Sequence, residues 1–188
     1  MGRLKVIASI ALGVLVLGML GFILTKDSGI TDQTSEETML ELKTNQKASK
    51  DTIEKSDNTK ITTVVNQYYK QKAEEQQFAE SYQDVTVYIA QATEQDDYIA
   101  YVTYQMQIKD VETLLPGMET LYLKPAVGDT YEIVDVASDQ ALQDEIDNLS
   151  QDEEVQALIQ SVEDGYQTAK EKDPVLAAAL ADLQKAYQ

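Results

Sequence analysis

The stretch that decides the fold reads Tyr98-Ile-Ala-Tyr-Val-Thr-Tyr-Gln-Met-Gln-Ile108. Tyr98, Ala100, Val102, Tyr104, Met106 and Ile108 fall on one side at a period of two. Ile99, Tyr101, Thr103, Gln105 and Gln107 fall on the other. Alternation over that length predicts a strand with one buried face, and Ile99 and Tyr101 imply partial cover on the second.

Upstream, Val85, Val87 and Ile89 alternate with Asp84, Thr86 and Tyr88, and Gln95-Asp96-Asp97 supplies a turn into the long strand. Downstream, Leu115-Pro116-Gly117 reads as a turn. Met118 to Val127 reads as a third strand, Gly128-Asp129 as a hairpin connection, and Tyr131 to Val136 as a fourth strand. Short connections predict an antiparallel meander.

Before the strands, Asn58-Thr59 can cap a helix. Ile61, Val64, Val65, Tyr68, Tyr69 and Lys72 share its face at helical spacing. After the strands the pattern is helical to the end. Ser138 can cap a segment carrying Ala141, Leu142, Ile146 and Leu149. Asp152 opens a helix with Val155, Leu158, Ile159, Val162 and Tyr166, and Asp173-Pro174 opens a last one with Val175, Leu176, Ala179, Leu180 and Leu183.

The N-terminus differs in kind. Val6 to Leu24 is a run of uncharged, mostly apolar residues, preceded by Arg3 and Lys5. At about 1.5 Å rise per residue a helix of that length spans most of a hydrocarbon core. The flanking positive charge predicts a single-pass anchor with a cytoplasmic N-terminus and an extracellular C-terminal portion. The run ends Phe22-Ile-Leu-Thr-Lys26, which has neither a small-x-small cleavage site nor the cysteine of a lipoprotein. The expected organisation is an anchor over residues 1–26, a polar spacer over 27–57, a helix-plus-sheet domain over 58–137 and acidic helices over 138–188. The expected fold class is α+β: a transmembrane helix, then a helix packed on a four-stranded antiparallel meander, then C-terminal helices.

Composition narrows the chemistry. All 33 acidic residues follow Lys26, against 12 of the 15 basic ones, so that portion carries −21. Such a surface repels phosphate backbones, which argues against nucleic-acid binding. The chain has no histidine and no cysteine. That removes the usual general base near neutral pH, the common zinc ligands and thiol chemistry. Adjacent acids such as Asp96-Asp97, Glu153-Glu154 and Glu163-Asp164 have no calcium-loop or paired-carboxylate spacing. Asp84 and Asp110, near strand ends, read as turn residues. No catalytic residue, metal ligand or cofactor is expected.

Helix, four-strand meander and acidic helices together resemble the cystatin-like and nuclear transport factor 2-like α+β folds. The chain is similar to exported proteins of Gram-positive anaerobes that carry an N-terminal anchor and such a domain. The resemblance lies in Tyr98-Ile-Ala-Tyr-Val-Thr-Tyr104, in Pro116-Gly-Met118 followed by Leu121-Tyr122, and in Asp152-Glu-Glu-Val-Gln-Ala-Leu158. It covers roughly residues 58 to 170 and implies many roles: secretion and conjugation scaffolds, ligand pockets and a few enzymes.

Eleven tyrosines stand against two phenylalanines and no tryptophan. Tyr68, Tyr98 and Tyr104 are placed to line a pocket between helix and sheet, and Tyr101 and Tyr122 to form a partner surface on the outer face. The expected function is a non-catalytic, membrane-tethered interaction module of the bacterial cell envelope. Its partners would be the bilayer through residues 6–24 and another envelope protein or a second copy. The alternative is an extracytoplasmic small-ligand-binding domain with a tyrosine-lined pocket.

Overall fold

The computed structural model describes residues 53–186. The expected anchor at 6–24 and most of the spacer lie outside the described residues. Among the described residues no helix is long and apolar enough to cross a membrane.

The fold is α+β, built on one five-stranded sheet in the order β1-β2-β3-β4-β5. The strands are β1 (Glu54–Lys55), β2 (Ala79–Gln91), β3 (Tyr98–Ile108), β4 (Leu115–Ala126) and β5 (Thr130–Val134). Every neighbouring pair is antiparallel. Among the described residues four helices accompany them: α1 (Thr59–Glu75), α2 (Gln140–Leu149), α3 (Glu153–Lys172) and α4 (Pro174–Ala186).

The meander therefore has five strands rather than four. β1 sits in what reads as spacer, and two residues are too few to show a period. It is held by the pairs Glu54↔Ile89 and Lys55↔Tyr88 and by Ser56 N–H donating to the Val87 carbonyl at 2.8 Å. Ile53, just before it, packs with the apolar residues beneath α3, and its N–H donates to Glu154 Oε2 at 3.2 Å.

β2 begins six residues before its visible alternation, because two irregularities hide the start. Extra residues fall between Ala79 and Ser81 and between Gln83 and Thr86. The second is a bulge at Asp84, whose φ is +50°. One extra residue reverses the parity, so Tyr82 and Val85 both pack toward α1. Pro116-Gly117 is not a turn but lies within β4, opposite Gln105 and Tyr104. The chain reverses earlier, where Asp110 takes φ +64°. Tyr104 covers Gly117: a Cβ there would lie 2.6 Å from the ring Cζ, so the position accepts no side chain while the ring stays.

Helix starts follow capping chemistry. Asn58 accepts from the N–H groups of Lys60 and Ile61. Asp139, rather than Ser138, caps α2 through Ala141 and Leu142. Asp152 caps α3, and Asp173 accepts from Val175 and Leu176 at the start of α4.

The sheet is covered on both faces. On one, Ile61, Val65 and Tyr69 of α1 pack on Val87, Ile89, Ala100, Val102, Leu121 and Leu123. On the other, Val155 of α3 meets Ile99, Tyr101, Met118 and Tyr122, with Leu142 and Ile146 of α2 beside them. Tyr101 and Tyr122 are 0% and 1% exposed, so the outward face expected for them is instead interior. The cause is the amphipathic tail, which folds back over that face. α4 closes the end where β3 passes to β4: Leu176 is fully buried among Ile108, Val111 and Leu115.

Candidate functional site

The residue that organises the α1 face is Glu119. Alternation along β4 places it on the same side as Leu121 and Leu123, pointing into an apolar layer. It is only 8% exposed. A buried carboxylate is costly unless it is paired and hydrogen-bonded. Three donors from two turns of α1 meet that need. Tyr68 Oη donates to Oε1 at 2.8 Å, Tyr69 Oη to Oε2 at 3.0 Å, and Lys72 Nζ to Oε2 at 2.6 Å. Lys72 also reaches the Tyr68 hydroxyl at 3.3 Å and lies 5.2 Å from the centre of that ring.

Four tyrosine rings pack around this ion pair. Tyr69 is central, with centroid distances of 5.2 Å to Tyr68 and 5.1 Å to both Tyr82 and Tyr104. Tyr82 and Tyr104 meet edge to face at 5.0 Å. Such pairs contribute about 0.5–1.5 kcal/mol each beyond simple burial. The Tyr82 hydroxyl donates to Gln76 Oε1 just past the end of α1.

This environment holds the phenols neutral. Burial first, then the negative charge of Glu119, pushes Tyr68, Tyr69 and Tyr104 far above the usual tyrosine range. Tyr82 is raised by the same two causes, although its bond to Gln76 opposes them. A phenol so held is a donor and not a base. The arrangement orients α1 on the sheet; no tyrosinate is available to it as a nucleophile near neutral pH.

Two grooves lie along α1, and the first of them borders the cluster. One, of about 500 Å³, runs between α1 and the first half of β2, lined by Asn66, Tyr69, Lys70, Ala73 and Glu74 on the helix side and by Ala79 to Tyr82, Val85 and Lys109 opposite. The other, of about 340 Å³, lies by the β4–β5 hairpin near Lys60, Asp129 and Tyr131. Neither is lined by Tyr68, Tyr98 or Tyr104. Tyr68 and Tyr104 do come together around Glu119, whereas Tyr98 packs edge to face on Tyr131 at 5.8 Å.

Beneath the C-terminal helices lies a smaller polar spot. Asp97, 5% exposed, sits 3.7 Å from Lys124 Nζ, and Lys124 lies 5.5 Å from the centre of the Tyr122 ring. The Tyr122 hydroxyl is buried with no partner at hydrogen-bonding distance. Burial, then Glu145 and Asp97, raise its pKa. Among the described residues no group of three or more carboxylates is placed to hold a metal. Asp84 and Asp110 occupy left-handed positions at a bulge and a turn.

Glu119 has a signal in the sequence. It is a charge at an inward position of a strand, and Lys72 is a charge on the apolar stripe of a helix. Two opposite charges on two faces that must pack together point to each other.

Comparison with known protein families, with curated proteins and with solved structures finds no match to this chain.

Proposed function

We propose that this chain is a non-catalytic interaction module, held outside a bacterial cell membrane by a single-pass anchor at residues 6–24. The observation that carries the reading is the saturation of Glu119. Its two oxygens take three internal donors, and neither groove opens onto it. The buried charges thus serve the packing of α1 on the sheet. What faces outward is an acidic surface and a shallow groove, features suited to binding another macromolecule. A tether adds to this by raising the effective concentration of a weak binder at the membrane.

The alternative, small-ligand binding, draws on one observation: Tyr69 and Tyr82 stand in the wall of the larger groove. That groove is open and mixed in polarity, which suits an extended surface contact better than an enclosed ligand.

Chemical cross-linking of the full chain in living cells tests the proposal. The expected result is recovery of a discrete protein partner, a second copy included, with no turnover of hydrolase or isomerase substrates by the detergent-solubilised chain. Turnover that Glu119→Gln abolishes, in a variant that still folds, contradicts it.

A further inference from the structure

The groove between α1 and β2 carries charges that form no ion pair among the described residues. Lys70, Glu74, Glu80 and Lys109 all line it, and all four are exposed. The four ion pairs of the described residues, Lys60–Asp129, Lys72–Glu119, Lys124–Asp97 and Lys185–Asp182, use none of them. The described segment has 27 carboxylates and nine lysines. This lining is nevertheless balanced, with two charges of each sign. Two acidic domains repel each other over most of their surfaces, and that repulsion cancels where the local charge is balanced.

The charges also have a direction along the groove. Glu74 ends α1, Glu80 opens β2, and the Lys109 N–H donates to the Phe78 carbonyl, so these three sit where α1 passes to β2. Lys70 stands one helical turn further back, toward Asn66. A surface with a cation displaced from an acidic end is complementary to itself under a two-fold rotation.

The backbone beside the groove is open as well. β1 covers β2 only at Tyr88 and Ile89, and Ser56 takes the Val87 carbonyl. The outer edge from Ser81 to Gln83 has no strand beside it among the described residues. The irregularities at Glu80 and at Asp84 bracket that edge. They limit added pairing to a few residues, which favours a closed pair over an open-ended sheet.

From these observations we infer that the α1–β2 groove is a self-association surface, on which a second copy of this chain docks antiparallel with Lys70 of each copy against Glu80 of the other. This rests on the interaction reading above and names its partner. Shared anchoring in one membrane supplies the concentration that a small, polar interface requires.

Full-length chain in lipid nanodiscs and in detergent tests this. Each pairing occurs twice by symmetry, so Lys70→Glu or Glu80→Lys alone is expected to weaken dimerisation about tenfold. The double variant Lys70→Glu/Glu80→Lys is expected to restore it to within about threefold. Both positions are exposed, and circular dichroism checks that each variant folds. The chain has no cysteine, so Ser81→Cys introduces its only thiol. Mild oxidation should yield a covalent dimer from Ser81→Cys and none from Gln160→Cys on the exposed side of α3. A chain monomeric at all concentrations, equal cross-linking at both sites, or no rescue in the double variant overturns the inference. A monomeric chain that cross-links in cells to a different envelope protein overturns it too, while leaving the interaction reading intact.

Discussion

Glu119 and the tyrosines around it make the α1 face sensitive to alkali. Tyr68, Tyr69, Tyr82 and Tyr104 are all raised, chiefly by burial and then by Glu119. In the unfolded chain they titrate at about 10. Their contribution to stability is fully present below that pH. Above it the unfolded state gives up protons that the folded state keeps, so stability falls as pH rises. The ring resonances of these four tyrosines in nuclear magnetic resonance and the far-ultraviolet circular dichroism, followed together through an alkaline titration, are expected to change in one shared transition. Ionisation of these four tyrosines near pH 10 with the fold intact would contradict this environment. The Lys72–Glu119 pair is legible in part, as one charge on each of two apolar faces. The three-donor arrangement is not, because it depends on the angle at which α1 crosses β4.

Among the elements, those with long uninterrupted periods read cleanly. α1, β3 and the three C-terminal helices stand where their apolar spacing places them. Elements broken by local chemistry do not. The bulge at Asp84 reverses the inward parity, so the first half of β2 carries no alternation to detect. Pro116-Gly117 has turn composition, yet Gly117 is where the Tyr104 ring needs a residue without a side chain. β1 is too short for any period. The stripe of α4 contains both Val175 and Leu176, which the structure separates: Val175 is 60% exposed and Leu176 is 0% exposed. Leu176→Ala is expected to cost about 2–5 kcal/mol in denaturant unfolding, and Val175→Ala less than about 0.5 kcal/mol. Equal effects would mean that α4 does not close the end of the sheet.

At the scale of the whole molecule, the sheet is sandwiched between α1 and the C-terminal helices. Ile99 and Tyr101 announce cover on the second face, but the sequence does not say what supplies it. The tail does, and it turns the tyrosines expected on a partner surface into core. The proposed site therefore moves to the groove beside α1, whose charges stand outside the ion pairs of the described residues. The remaining link is between address and architecture: a body with −21 beyond Lys26, preceded by the apolar run 6–24. Fractionation of cells making the intact chain, with protease added from outside, tests that link most directly. The chain is expected to sediment with membranes, resist salt and alkaline extraction, and lose its C-terminal portion to external protease. Intact chain in the detergent-free soluble fraction, or a body shielded from protease until the cells are opened, would contradict it.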